Sequence, residues 1–382
     1  MTGTLAGTGG DVDNASVALL GRDRTPFLPA RVWAEQRGAW RLVDRARDSK
    51  TWARAARADV PLITQWDNGD HEGDEPGTVA TCSSSQPSVT RQMLDALDVQ
   101  LGQHVLDVGT GTGYTAALLE DRVGTSGTVV SVEVDDGLAA AARTTLDTVG
   151  ARARVLAADG AASLAGPFDR TLVTFGVRTV PPTWIEQTVT GGRVVMPWGT
   201  DWCRSDRLLT LLVGADAAAG RLGPGLDFMK MRAEEAAWKR AVGPDGWLDR
   251  AERWEADAEG TDVAAGLDGW GEYVLGLLMP PGVVKLVTAP APAPAAEPEA
   301  GANGDRTAYF YADGSAAALT FGRGSGVHAA EFGPRSLAAD YLAALRWWLD
   351  HGCPDAQGFG VGIDAAGQRV WFGSPRGPAA PG

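Results

Sequence analysis

Residues 104–116 read His-Val-Leu-Asp-Val-Gly-Thr-Gly-Thr-Gly-Tyr-Thr-Ala, and no other stretch constrains the fold as strongly. An apolar run reaches an acid, Asp107, and Gly109, Gly111 and Gly113 follow at alternate positions before small residues that suit a helix. Glycines at a strand-to-helix turn let the backbone approach a ligand with no Cβ in the way. The acid discriminates between ligands. A carboxylate there would repel a pyrophosphate and attract the ammonium of an amino-acid moiety. The turn therefore points to S-adenosylmethionine rather than to a dinucleotide. Two plainer readings stand beside it: the glycines form an ordinary loop, and Asp107 caps the turn. Dinucleotide dehydrogenases are the structural rival, but they usually carry Gly-x-Gly-x-x-Gly without the preceding acid.

Two further acids follow the same logic. An apolar run, Thr128 to Val132, ends at Glu133, twenty positions beyond Gly113. An acid at the end of the second strand of a doubly wound fold hydrogen-bonds ribose hydroxyls. A third run, Ala153 to Ala157, leads into Asp159-Gly160, where a carboxylate can accept from an adenine amino group. Strands are predicted near 104–108, 128–132, 153–157, 169–174 and 192–197, with Gly191-Gly192 marking the turn into the last. Alternation with helical segments, including one from Pro87 to Leu97, reads as a parallel sheet with crossover helices. The predicted fold class is α/β, a doubly wound Rossmann-like sheet of the S-adenosylmethionine-dependent methyltransferase type.

The 382-residue length suits two domains or one decorated domain, and 44% hydrophobic residues can supply a sizeable core. A formal net charge of −14 disfavours nucleic acid and anionic membrane as partners. It permits a basic partner, or it serves solubility alone. Three dispersed cysteines and four scattered histidines suggest neither a disulfide framework nor a metal site. The Met-Thr-Gly-Thr-Leu-Ala-Gly start lacks a basic region followed by an apolar core, and no segment has the length to span a bilayer, so a soluble cytoplasmic protein is expected.

Residues 1–25, polar and rich in Gly, Thr and Asp, are expected to be disordered. A helical N-terminal region follows, with helices expected near 32–40 and 48–58. Asp67-Asn68-Gly69-Asp70 is a turn signal, with deamidation of Asn68 a lesser reading. The catalytic domain is expected over 26–213, ending in a strand from Leu208 to Val213. An α+β C-terminal extension is expected over 214–376 and a tail over 377–382. Ala-Pro repeats place an extended loop at 286–305, since proline can neither pair in a sheet nor continue a helix. An amphipathic helix is predicted from Leu337 to Trp348, and a terminal hairpin over 359–363 and 369–372. The tryptophans of this region read as core, or as a ligand platform.

Ser83-Ser84-Ser85-Gln86-Pro87, followed by a helix and the glycine turn, resembles protein-L-isoaspartate O-methyltransferase, which carries Ser-Gln-Pro or Ser-Ala-Pro before the helix leading to its first strand. Gly111 to Leu119 resembles that family's first cofactor motif and helix, and Val129 to Glu133 its ribose-binding strand. Asp159-Gly160 matches a Gly-Asp-Gly pattern with alanine in place of the first glycine. Pro167 to Arg170 and Gly191 to Pro197 resemble the last two motifs. The similarity covers roughly residues 60–200. It implies that Asp107, Gly109, Thr110, Gly111, Gly113, Tyr114, Glu133, Asp159 and Gly160 bind S-adenosyl-L-methionine, released as S-adenosyl-L-homocysteine. It further implies that Ser85 is catalytic and that Ser85, Gln86 and Ser88 contact the substrate.

The family's repair enzymes are usually shorter. The stretch beyond residue 200, with Phe332-Gly-Pro-Arg335, Trp347, Gly352-Cys-Pro354 and Val370-Trp371, resembles an actinobacterial branch associated with lanthipeptide, graspetide and imiditide pathways. That branch methylates an ordinary aspartate of a ribosomally made precursor peptide. Ser88 also stands where repair enzymes often have Tyr or His. The resemblance thus implies an aspartate carboxylate acceptor on a precursor peptide that is basic or carries Asp before a small residue. The ester would then cyclise to aspartimide, which can open to isoaspartate. The alternatives are repair of isoaspartyl proteins and a non-catalytic peptide-binding module. Ser85 also has a second reading, as the N-cap of the helix at Pro87. The extension reads as a lid or peptide-docking surface, or as extra core.

Overall fold

The computed structural model of the chain describes residues 14–234, 244–288, 305–322 and 326–375. They divide into two compact units. Unit 1 comprises residues up to Gly176, Val180–Pro197 and Thr210–Ala218; unit 2 comprises Val177–Thr179, Trp198–Leu209 and the residues from Ala219 onward.

Unit 1 opens with α1 (Ala15–Leu20) and then a four-stranded antiparallel sheet of order β2-β1-β3-β4. Its strands are β1 (Arg31–Gln36), β2 (Ala39–Asp44), β3 (Leu62–Trp66) and β4 (Ala80–Ser84). Order over 14–25 and strands over 31–44 both depart from the sequence expectation. The hairpin follows from Arg37-Gly38, whose positive φ values of 54° and 79° make a two-residue turn matching strand twist. Alternation then sorts the side chains. Val32 and Ala34 pack with Trp52 and Ala55 of α2 (Ser49–Arg57), while Trp33 joins Ile63 and Trp66 on the other face. Asp48 caps α2 by accepting from the amides of Lys50 and Thr51. Asp67-Asn68-Gly69 forms the expected turn, Asn68 sitting at φ 55°.

After α3 (Pro87–Leu97) come β5 (His104–Val108), α4 (Tyr114–Val123), β6 (Thr128–Glu133), α5 (Asp136–Thr148), β7 (Arg154–Ala157), β8 (Phe168–Val173), α6 (Pro182–Glu186) and β9 (Thr188–Trp198). All five strands pair in parallel in the order β9-β8-β5-β6-β7. Their near-continuous apolar runs suit strands covered on both faces. Gly191-Gly192 lies inside β9 rather than before it. Phe168 faces Thr188 and Arg170 faces Arg193, so the glycines form an irregularity in the pairing. Because β5 is flanked by β6 on one side and β8 on the other, the strand order reverses there. A doubly wound sheet binds ligands at the carboxyl ends of its strands at such a point.

In the second half, β10 (Asp206–Val213) and β11 (Ala218–Leu226) are followed by α7 (Trp247–Arg250), β12 (Glu252–Ala256), α8 (Gly260–Leu267), α9 (Gly269–Leu278), β13 (Val284–Thr288), β14 (Arg306–Ala312), β15 (Ser315–Phe321), β16 (Val327–Phe332) and α10 (Leu337–Asp350). An antiparallel sheet of order β12-β16-β15-β14-β13 and the hairpin β17 (Phe359–Asp364) and β18 (Gly367–Phe372) belong to unit 2. Within the predicted 286–305 loop, residues 286–288 are strand; 289–304, like 1–13 and the tail from 376, lie outside the described residues. Trp202 stacks on Phe310 at 5.2 Å and on Tyr341 at 5.7 Å, and the Tyr341 hydroxyl donates to the Val263 carbonyl. Tryptophans 198, 202, 348 and 371 are core side chains here. Among the described residues no helix is long and apolar enough to cross a membrane, and no His, Cys, Asp and Glu cluster could hold a metal.

Trp202→Ala should therefore cost about 3–5 kcal/mol by equilibrium urea unfolding, the usual loss for deleting a buried indole. A cost below about 1 kcal/mol would mean that the stack is not central to unit 2.

Candidate active site

The acid at the end of β5 is the centre of the site. Parallel register sets Asp107 directly beside Ser131 of β6. The Ser131 hydroxyl donates to Asp107 Oδ2 at 2.8 Å and lies 2.6 Å from Thr110 Oγ1. All three side chains are buried, Asp107 and Ser131 fully. Asp107 Oδ1 has no hydrogen-bond partner among the described residues. Burial therefore pushes the Asp107 carboxyl up to about 7; the Ser131 bond opposes this and the nearby Glu133 charge adds to it.

The turn itself is built by its glycines. Gly109, Gly111 and Gly113 have φ of 97°, 52° and 83°, and a Cβ on Gly109 would sit 2.6 Å from Thr174 Oγ1. The Thr174 hydroxyl donates to the Gly109 carbonyl, joining the residue after β8 to the turn after β5. Gly109 and Thr110 amides donate to the Val132 carbonyl, and the Gly111 amide donates to Glu133 Oε2 at 2.9 Å. Glu133 Oε1 accepts from the Asp135 amide, so this carboxylate links the turn to the start of α5, which Asp135 caps. Asp159 is exposed beyond β7, and its Oδ1 accepts from the Ala161 amide. Gly160 permits close packing, since a Cβ there would fall 2.4 Å from Val108 Cγ1; its carbonyl accepts from Trp184 Nε1.

Tyr114 begins α4 directly after the glycine turn. Its hydroxyl donates to the Arg22 carbonyl at 2.7 Å and its ring packs 5.2 Å from Phe27, so its side chain anchors the N-terminal segment. Burial pushes its phenol up to about 12.

The Ser-Gln-Pro junction is brought to the same turn. A Cβ on Gly111 would lie 3.4 Å from Cys82 Sγ and 3.9 Å from the Ser83 carbonyl, so β4 runs past the glycines and delivers Ser85 just beyond. The residue capping α3 is Gln86, not Ser85, and its side chain makes no cap bond. Asp59 does the capping, accepting from the Ser88 amide at 2.8 Å and from Gln86 Nε2, which also donates to Ser88 Oγ. Ser85 is half-buried, and the neighbouring Ser84 hydroxyl is buried with no partner among the described residues. Sequence reasoning missed Ser131, Thr174, Asp59 and Ser84. Ser131 alone had a visible signal, a lone hydroxyl in the apolar run Val129-Val-Ser-Val.

The strand order and the acid–glycine turn at its reversal define a Rossmann-like α/β protein with a candidate ligand site at the ends of β5, β6 and β7. The family described as protein-L-isoaspartate(D-aspartate) O-methyltransferase matches residues 55–211. Protein-L-isoaspartate O-methyltransferase 2 of Pelobacter propionicus is 32% identical over 166 residues, which cover 43% of this chain and 68% of that protein. The chain belongs to this family. The protein-L-isoaspartate O-methyltransferases of Anaeromyxobacter dehalogenans 2CP-1 and Thermotoga maritima are 42% and 36% identical. These two matches cover 35% and 33% of this chain, and the chain spans 63% and 39% of those relatives. A solved structure entitled protein-L-isoaspartate O-methyltransferase aligns over 95% of this chain and 96% of its own, at 18% identity and a TM-score of 0.49.

The buried acid has a signature in stability. A carboxyl whose folded value is raised from 3.8 to about 7 binds its proton more tightly when folded. Between about pH 4 and 7 this carboxyl thus holds more of its proton in the folded chain than in the unfolded one, and its contribution to stability falls as pH rises. Asp107→Asn should remove that slope, stabilising the chain at pH 7.5 relative to pH 4.5 by on the order of 2 kcal/mol. Parallel slopes for variant and parent in pH-resolved unfolding would contradict it.

Proposed function

We propose that this chain is an S-adenosylmethionine-dependent carboxyl O-methyltransferase that acts on isoaspartyl residues of peptides or proteins. The observation that carries the reading is Asp107, a fully buried carboxylate with one unpartnered oxygen at the head of a glycine turn, with the Ser85 junction beside that turn.

The residues present suit the cofactor. An unpartnered buried carboxylate oxygen suits a cationic ligand, and the uncovered backbone of Gly109–Gly113 admits one closely. Glu133 and Asp159 offer acceptor oxygens at the next two strand ends for hydroxyl and amino donors. When bound, S-adenosylmethionine supplies an electrophilic methyl group on a sulfonium and leaves as neutral S-adenosylhomocysteine.

The rest is the work of the protein. An acceptor carboxylate is already a nucleophile near neutral pH, so no general base is required. With the cofactor bound, one carboxylate oxygen would take up the methyl group that the sulfonium supplies, and no proton would need to move. The protein has to orient the carboxylate and strip water from it. Ser85, freed from helix capping by Asp59, can donate its hydroxyl to one acceptor oxygen while the other attacks. Gln86 and Ser88, tied to each other and to Asp59, give the acceptor peptide a fixed polar edge. The methyl ester then loses methanol to the next backbone nitrogen, giving a succinimide without further help from the protein. The relatives named above, called protein-L-isoaspartate O-methyltransferases, favour the isoaspartyl acceptor. The precursor-peptide reading keeps one specific support, the small Ser88 where a bulky ring is expected.

Two peptides of one sequence, differing only in isoaspartyl or aspartyl linkage, separate these readings by mass spectrometry of the methylated product. The isoaspartyl form should be preferred by at least about 100-fold in kcat/KM. The reverse preference would support the precursor-peptide reading, and absence of cofactor binding by calorimetry would remove both. Ser85→Ala should lower kcat by about 10- to 100-fold and leave cofactor affinity within about twofold, whereas Asp107→Asn should weaken that affinity by about tenfold or more.

A further inference from the structure

Arg24 is fully buried, yet among the described residues it hydrogen-bonds to no carboxylate. Its guanidinium donates to five backbone carbonyls. Ala55 and Ala56, in the last turn of α2, accept at 3.0 and 2.6 Å. Ala58 and Val60, in the connection to β3, accept at 2.8 and 2.9 Å. The fifth acceptor, at 3.2 Å, is the carbonyl of Ser85. A guanidinium has five N–H groups in a rigid fork, and a helix carboxyl end offers the unpaired carbonyls and negative dipole that suit it. Burial still has a cost: it lowers the Arg24 guanidinium to about 10, and the nearby Asp59 and Asp23 charges offset it only in part.

The segment carrying Arg24 is fixed at its other end to the helix that follows the glycine turn. Arg22 forms a two-pronged ion pair with Asp121 of α4, at 2.6 and 2.5 Å, and its carbonyl accepts from Tyr114. Phe27 packs on the Tyr114 ring, and the Arg24 amide donates to Ser16 Oγ. One short stretch, residues 22–27, therefore bonds both to α4, at Tyr114 and Asp121, and to the backbone of Ser85.

We propose that Arg24 is a positioning residue for the Ser85–Ser88 acceptor junction, held in register with the glycine turn through Arg22, Tyr114 and Asp121. The role assigned to the junction rests on the function proposed above; the mechanical coupling does not. Arg24 touches no reacting atom. It fixes the carbonyl of the residue whose hydroxyl faces the acceptor, and with it the start of α3.

Arg24→Lys tests this. A lysine ammonium keeps the charge but has three donors at one point, which cannot span five carbonyls. Amide hydrogen exchange at pH 7 should rise about tenfold or more in residues 83–90, and stay within about twofold in 105–111 and 129–133. With the isoaspartyl peptide, kcat/KM should fall about tenfold while the calorimetric affinity for S-adenosylmethionine changes less than twofold. Unaltered exchange over 83–90, or an equal rise throughout unit 1, would overturn the proposal. Should R24K fail to fold, Tyr114→Phe reads the same window: a rise of about threefold confined to 83–90 is expected, and no change overturns it. The exchange readout needs no substrate. An inert parent enzyme with the expected exchange pattern would therefore refute the proposed function and leave the coupling standing.

Discussion

Burying a carboxylate away from any cation is unfavourable, and unit 1 is arranged around one such group. Asp107 keeps its place because parallel pairing of β5 with β6 puts the Ser131 hydroxyl opposite it, and because Thr110 returns to close the triad. The same register brings Glu133 level with the turn, where it receives the Gly111 amide. Thr174 closes the opposite side from β8. Remove the acid and these contacts lose their reason: the turn would be a connection between strand and helix instead of a preorganised cradle. A charged group left half satisfied is tolerated where a ligand completes it.

Much of this was legible in the amino-acid order. Buried parallel strands leave near-continuous apolar runs, which located β5 to the residue and β6 to within one. Acids at three successive strand ends and the Ser-Gln-Pro junction were visible as candidates, and the fold brings Asp107, Glu133 and that junction to one glycine turn. What escaped has a common cause. Arg24 binds carbonyls 31 to 61 positions away, and backbone acceptors carry no sequence signature. A polar segment rich in Gly, Thr and Asp reads as disordered when its single buried arginine cannot be told from a surface one. The β1–β2 hairpin was hidden for a different reason. Its turn residues, Arg37-Gly38, are less distinctive than Asn-Gly, and tryptophans among charges imitate a helix face. Tyr114 follows the glycine motif in sequence, but its ring is turned to the N-terminal segment by the direction α4 takes.

The two sides of the proposed site differ in how they are held. The cofactor side is held by strand register and a turn, short-range features that recur wherever the motif does. The acceptor side is held by single side chains from distant segments: Asp59 at the α3 cap and Arg24 at the Ser85 carbonyl. Under the proposed function, substitutions in those supports would change the acceptor side without touching the glycine turn.

The position of Arg24 bears on what counts as the smallest intact catalytic module. Family similarity begins at residue 55, thirty-one positions after the arginine whose fork closes the end of α2. Excising the homologous stretch, or grafting it into another chain, would take the guanidinium donors away from the carbonyls at 55, 56, 58, 60 and 85, and water would have to replace them. The segment that evolution marks by similarity and the segment that can hold its own shape are therefore different lengths of the same polypeptide.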